Sequence, residues 1–267
     1  MQPTKIEWVI NPDGSPGYTW NPITGCLNGC EYCYARKLAN TRLRETYLAN
    51  NKLACDHLEM KKAFDRGDPF NDPFYPRFWN VRLRDGVNDL CSTKPKGVFV
   101  CDMSDLFGIG IPEDWTIKVL EVIKDSPQHR FYLLTKQPQY LLQYYQFPQN
   151  CYVGVTVTNQ KMHNEAIVCL SAIFATVKFI SYEPLLNEII ATSAYDLSDI
   201  DQVIIGQRTP ALESTIPKIE WIEEIVKAAD NAGCKVFLKD NLSALIPANS
   251  PLRYGPAGEL RLRQEMP

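Results

Sequence analysis

Three cysteines stand close together in Cys26-Leu27-Asn28-Gly29-Cys30-Glu31-Tyr32-Cys33, a C-x3-C-x2-C spacing with an aromatic residue directly before the third thiol. Thiolates are the preferred ligands of iron–sulfur clusters. Cys26, Cys30 and Cys33 could therefore hold three irons of a [4Fe–4S] cubane and leave the fourth iron without a protein ligand. An open iron can chelate the amino and carboxylate groups of S-adenosylmethionine. Electron transfer into the sulfonium then releases a 5′-deoxyadenosyl radical, the cofactor supplying the difficult chemistry and the protein the orientation. Structural zinc would want a fourth ligand. None lies near: the next cysteine is Cys55, and the only histidines are His57, His129 and His163. Two other readings stay open at this level, a zinc-bearing nucleic-acid-binding module and a non-catalytic iron–sulfur protein.

The elements that must position such a loop follow from the apolar pattern. Short, nearly continuous apolar runs at Lys5–Val9, Gly97–Cys101, Phe131–Thr135, Tyr152–Val157, Lys178–Tyr182, Gln202–Gly206 and Lys235–Leu238 suit parallel strands covered on both faces. Helical stripes alternate with them: Ala35, Leu38, Ala39 and Leu43; then Trp115, Val119, Leu120 and Ile123 after Pro112; then Leu141, Leu142 and Tyr145 after Pro138. A last stripe, Ile219, Ile222, Ile225 and Val226, ends at Gly233 as a C-cap. Strand and helix recur about six times, which predicts an α/β fold, a partial (β/α)6-type parallel barrel, with the doubly wound open sheet as the competing architecture. A single domain over 1–267 is expected, with an inserted connection at 46–96 and a C-terminal tail at 240–267. The connection carries Pro69–Trp79, Arg82 and Arg84, aromatics and arginines that could meet bases and phosphates. Its blander explanation is a proline-rich loop pinned by aromatic packing.

The 267 residues are 45% hydrophobic and 22% charged with net charge -3, so no global basic excess argues for nucleic acid. The first residues lack the basic and apolar regions of a signal peptide, and no apolar run approaches the roughly 20 residues that span a bilayer. A cytoplasmic protein with no membrane partner is expected. In a reducing cytosol the nine cysteines would be thiols, and only Cys26, Cys30 and Cys33 form a tight group.

The C-x3-C-x-aromatic-C stretch resembles the signature of the radical S-adenosylmethionine superfamily. The chain also resembles a phage-associated family of three-Cys-motif proteins. The matching segments are Thr19–Cys26, Met103-Ser104-Asp105-Leu106-Phe107, Leu133-Leu134-Thr135-Lys136, Gly154-Val155-Thr156-Val157, Glu183-Pro184-Leu185-Leu186 and Glu265-Met266-Pro267. One turn departs: where that family often has Gly-Gly-Glu-Ser-Gly, this chain reads Gly206-Gln207-Arg208-Thr209-Pro210. The missing glutamate puts any transfer of substrate specificity in doubt.

The resemblance implies a radical S-adenosylmethionine enzyme with a [4Fe–4S] cluster, fed by an electron donor such as flavodoxin or ferredoxin. It places Tyr32 near the adenine, and Asp102 and Ser104 at the amino group of S-adenosylmethionine. Ligands of parallel barrels gather at the carboxyl ends of strands. On that ground Thr156 and Asn159 are expected at the ribose hydroxyls, Ser181 and Glu183 at cofactor or substrate, with Lys136, Arg208 and Lys239 as nearby cations. A structural ion pair is the competing role for Glu183. Cys101, at a strand end, is the candidate to return a hydrogen atom to a substrate radical. The phage association and a partial likeness of the family to spore photoproduct lyase imply a nucleobase or nucleotide as substrate.

Overall fold

Valine, isoleucine and phenylalanine crowd the short strands of this chain, and their burial on both faces is what a parallel sheet demands. A computed structural model describes residues 1–54, 69–191, 195–254 and 261–267. Cys55, His57 and the middle of the expected connection lie outside the described residues. The chain divides into two compact units, one formed by Met1–Tyr140 with Pro148–Cys151, the other by Leu141–Phe147 with Tyr152–Pro267.

In the first unit β1 (Gln2–Pro3) runs antiparallel to β2 (Tyr18–Trp20), and β2 pairs in parallel with a later strand through Tyr18↔Val98 and Trp20↔Val100. A small antiparallel pair, β3 (Ile23–Thr24) and β4 (Arg77–Phe78), sits beside the cysteine loop. The parallel run continues with β5 (Gly97–Val100) and β6 (Arg130–Thr135). The helices are α1 (Tyr34–Ala39), α2 (Arg44–Leu48), α3 (Asn80–Leu90) and α4 (Glu113–Lys124), the last starting just after Pro112 as the sequence predicts.

Two expectations are corrected here. Lys5–Val9 is not a strand: the amide of Val9 donates to Ile6 O at 3.0 Å and that of Gly17 to Val9 O at 2.8 Å, so the segment closes a loop. Asn11-Pro12-Asp13-Gly14, a run of turn formers, explains why. Trp8 and Val9 are buried all the same, at 3% and 0% exposure, so apolar content alone misled. The first parallel strand is β2, which is followed by β3 and then the cysteine loop. The single helix expected through Leu43 is broken into α1 and α2, because Asn40 Nδ2 and Thr41 Oγ1 take the carbonyls of Arg36 and Lys37 at 2.8 and 2.7 Å.

Among the described residues of the long connection, the segment from Pro69 to Arg82 is pinned. Arg77, 1% exposed, donates to the carbonyls of Asn50, Asp72, Tyr75, Pro69 and Phe70. The Arg82 guanidinium lies 3.9 Å over the Trp79 ring. α3 approaches β2 closely at Gly86, where a Cβ would meet Trp20 Nε1 at 2.2 Å. Arg77, Arg82 and Trp79, which might have met bases and phosphates, are thus engaged within the connection.

In the second unit β7 (Cys151–Thr156), β8 (Val177–Tyr182), β9 (Gln202–Ile205) and β10 (Lys235–Leu238) form a parallel run in that order. α5 (Gln160–Ser171) joins β7 to β8, and α6 (Ile219–Ala232) joins β9 to β10. α6 ends at Gly233 with φ 76, the left-handed C-cap that the sequence predicts. The terminal segment lies along β10: Leu238 N donates to Arg263 O at 2.7 Å and Gln202 Nε2 to Glu265 O at 2.9 Å. The α/β class with parallel strands is therefore observed in both units. No helix among the described residues is long and apolar enough to cross a membrane.

Two buried histidines are built into this framework in the neutral form. Lys96 N donates to His129 Nδ1 at 3.0 Å, so Nε2 carries the proton and faces Leu90 O at 2.9 Å. His163 Nε2 faces Tyr195 O and its Nδ1 faces the Tyr182 hydroxyl, each at 2.9 Å. Burial pulls both below the ordinary histidine value of 6.5. A depressed base is neutral in both states above 6.5 and is protonated first in the unfolded chain as pH falls. Stability should thus be full above about pH 6.5 and decline below it, by at most about 1.4 kcal/mol per histidine per pH unit. Urea unfolding between pH 7.5 and 5 should show this decline, with a shallower slope in His163→Asn.

Candidate active site

The cysteine loop begins where β3 ends. Gly25 has φ +87, and a Cβ there would meet Tyr75 O at 2.4 Å, so only glycine fits. Its amide donates to Met103 O and that of Cys26 to Phe74 O, each at 2.9 Å. The Ser104 hydroxyl closes the seam by donating to Gly25 O at 2.5 Å. The segment after β5 and the turn around Phe74 thus clamp the loop from two sides.

Asp105 fixes the middle of the loop. It is 5% exposed, and its carboxylate accepts Asn28 Nδ2 at 2.9 Å, Lys136 N at 2.9 Å and Phe107 N at 3.1 Å. Gln137 Nε2 donates to Asn28 Oδ1 at 2.8 Å. A buried carboxylate is costly unless hydrogen-bonded, and one holding three N–H donors is a strong anchor. The cysteine loop is by this means tied to the ends of both β5 and β6.

The three thiols are half-buried. Cys26 and Cys33 pack against an apolar cluster of Ala35, Ala39, Tyr47, Phe74 and Met103. Backbone amides point at two sulfurs: Asn28 N donates to Cys26 Sγ at 3.4 Å, and Arg36 N to Cys33 Sγ at 3.3 Å, which also caps α1. Burial, then the Asp105 charge, pushes the Cys26 thiol up to about 12. Burial raises Cys30 as well, opposed by the Lys136 ammonium. That ammonium lies 5.9 Å over the Tyr32 ring.

Among the described residues no three His, Cys, Asp or Glu side chains are gathered around a point that one metal ion would occupy. Structural zinc commonly takes four protein ligands, whereas a cubane takes one thiolate at each of three irons. The donor set of Cys26, Cys30 and Cys33, with N–H groups aimed at two sulfurs and an apolar flank, fits the latter group.

Asp102 lies just past β5, with its oxygens already engaged. It accepts Asn21 Nδ2 at 2.5 Å, and the Tyr34 hydroxyl donates to its carbonyl at 2.8 Å. Burial raises its carboxyl above the usual range, against the Asn21 and Tyr34 hydrogen bonds. Cys101 is buried at 3% with φ 63, an uncommon conformation outside glycine, and burial raises its thiol strongly.

The remaining expected residues belong to the second unit. Thr156 and Ser181 are buried near the ends of β7 and β8, at 1% exposure each. Asn159 caps α5, its Oδ1 accepting Met162 N at 3.0 Å. Glu183 is ion-paired with Lys239, and Gly206 makes room for the pair, since a Cβ there would meet Lys239 Cδ at 2.9 Å. Asn21, Asn28, Tyr34, Asp105 and Gln137 were not singled out from sequence. Asn28 inside the cysteine motif and Asp105 directly after the expected Ser104 were the available signals.

The family described as "Protein of unknown function (DUF5131)" matches residues 3–244. No curated protein matches the sequence. Among solved structures, a spore photoproduct lyase double mutant with bound AdoMet and dinucleoside spore photoproduct shares 12% identity at a TM-score of 0.48. The alignment covers 85% of this chain and 76% of that one. A single mutant of spore photoproduct lyase aligns over the same shares at 11% identity and a TM-score of 0.46.

Asp105→Ala should remove the anchor of the cysteine loop. We expect a loss of about 2–3 kcal/mol in urea unfolding and faster iodoacetamide labelling of Cys26 and Cys30, quantified by peptide mass spectrometry. Unchanged labelling at unchanged stability would show that the loop is held by other means.

Proposed function

We propose that this chain, which belongs to the DUF5131 family, is a radical S-adenosylmethionine enzyme that uses one [4Fe–4S] cluster held by Cys26, Cys30 and Cys33. The observation carrying this is the trio of half-buried thiols on a clamped loop, with backbone N–H groups donated to Cys26 and Cys33. Held by Cys26, Cys30 and Cys33, such a cluster with S-adenosylmethionine would supply radical hydrogen abstraction from the substrate.

The protein's part is to bind, orient and exclude water. Asp105, through Asn28, keeps Cys26 and Cys30 in register, and the apolar flank of Phe74 and Met103 limits solvent at Cys26 and Cys33. N–H groups directed at cluster thiolates raise the reduction potential by stabilising negative charge on sulfur. Tyr32 is assigned to the adenine. Asp102 is assigned to the amino group of S-adenosylmethionine, where Asn21 and Tyr34 fix its carboxylate. Ser104 is better accounted for as the latch on Gly25 than as a cofactor contact. Thr156 and Asn159 are assigned to ribose, and Ser181 to cofactor or substrate. Glu183 fits the structural ion-pair role with Lys239. Cys101, kept protonated by burial, is the thiol assigned to return a hydrogen atom. A flavodoxin- or ferredoxin-type donor supplies the electron, and a nucleobase or nucleotide is the substrate class assigned.

Anaerobic purification should give a brown protein with about four irons and four sulfides per chain. Dithionite plus S-adenosylmethionine should then produce 5′-deoxyadenosine. Replacing Cys26, Cys30 and Cys33 together by alanine should abolish both. A colourless protein carrying zinc, or iron without cleavage of the cofactor, would refute the assignment.

A further inference from the structure

The turn after β9 holds a guanidinium that the preceding account does not use. Arg208 is half-buried, and its Nε is shut from solvent with no hydrogen-bond partner. A buried donor left unmade costs about 1–3 kcal/mol, more when charged. Natural structures keep such a group when something else satisfies it.

The turn that carries Arg208 is held from both sides. Gly206 N donates to Tyr182 O at 3.1 Å, and Leu185 N donates to Gly206 O at 3.0 Å. Gln207 and Asn241 then clasp each other. Gln207 N donates to Asn241 Oδ1 at 3.2 Å, Asn241 Nδ2 donates to Gln207 O at 2.9 Å, and Gln207 Nε2 donates to Asn241 O. The adjacent cation, Lys239, is matched by Glu183. Arg208 forms no ion pair among the described residues. The two amides are spent on rigidity, so the guanidinium is the group of this turn left to meet a ligand.

A guanidinium presents a planar fork of donors suited to a bidentate oxyanion. Its place just past a strand of a parallel run is where ligands of α/β sheets bind. We propose that Arg208 is an oxyanion-binding residue that receives the phosphate of a nucleotide substrate. The oxyanion chemistry stands on the second unit alone. Only the identity of the nucleotide as substrate rests on the function proposed above.

Binding is the readout, by calorimetry on the full chain, purified anaerobically. The probes are the four deoxynucleoside 5′-monophosphates, their nucleosides, inorganic phosphate and S-adenosylmethionine. At least one monophosphate should bind about tenfold or more tightly than its nucleoside and than inorganic phosphate. Arg208→Gln should remove that difference, while Arg208→Lys retains part of it and both leave S-adenosylmethionine binding unchanged. Equal affinity for monophosphate and nucleoside in the unaltered chain overturns the proposal, whatever the variants do. So does a loss confined to S-adenosylmethionine in Arg208→Gln. Arg208-dependent monophosphate binding in a preparation that does not cleave S-adenosylmethionine would support the site and remove only the radical reading.

Discussion

A single buried carboxylate organises the first unit. Asp105 lies just past β5, yet its oxygens reach the amide of Lys136 after β6 and the side chain of Asn28 within the cysteine motif. Out of water it must keep those donors, because a buried carboxylate that loses them pays its desolvation without return. Three pieces of chain far apart in sequence are thereby held to one point. The Ser104 hydroxyl and the glycine-only contact of Gly25 with Tyr75 complete the clamp.

That clamp has an electrostatic side. Burial and the Asp105 charge both favour the neutral thiol at Cys26. Ligation needs the thiolate, so loading a metal group there must release protons and repay desolvation through metal–sulfur bonds. Lys136 works the other way at Cys30. The hydrogen bonds of Asp105 thus set the shape of the loop, while its charge and that of Lys136 act in opposite directions on the Cys26 and Cys30 thiols.

Much of this could be read from sequence, for identifiable reasons. The strands from Gly97 onward were legible because runs such as Val98-Phe99-Val100 and Val203-Ile204-Ile205 must be covered on both faces. Lys5–Val9 has the same apolar character but is followed by Asn-Pro-Asp-Gly, whose turn chemistry won. The thiol trio stands out in sequence because its reading rests on local spacing, and the fold keeps all three half-buried on one loop. Asp105 was not: its partner Asn28 is 77 residues away in sequence, and only the fold brings them together. Glu183 was recognised as needing a cation, and Lys239 supplies it across the β8 and β10 ends. Arg77 was open to two readings, a group for phosphates or part of a loop pinned by packing; its donation to five carbonyls of that connection favours the second, and no spacing in the sequence marks those partners.

A radical S-adenosylmethionine enzyme would need a cluster gripped at three corners with its fourth iron free. Electron paramagnetic resonance of the reduced protein tests it directly, recorded with and without S-adenosylmethionine labelled with ¹⁷O in the carboxylate. A changed spectrum with measurable hyperfine coupling from the label is the predicted result. A cluster signal that ignores the cofactor, or one already closed by a fourth protein ligand, would contradict it.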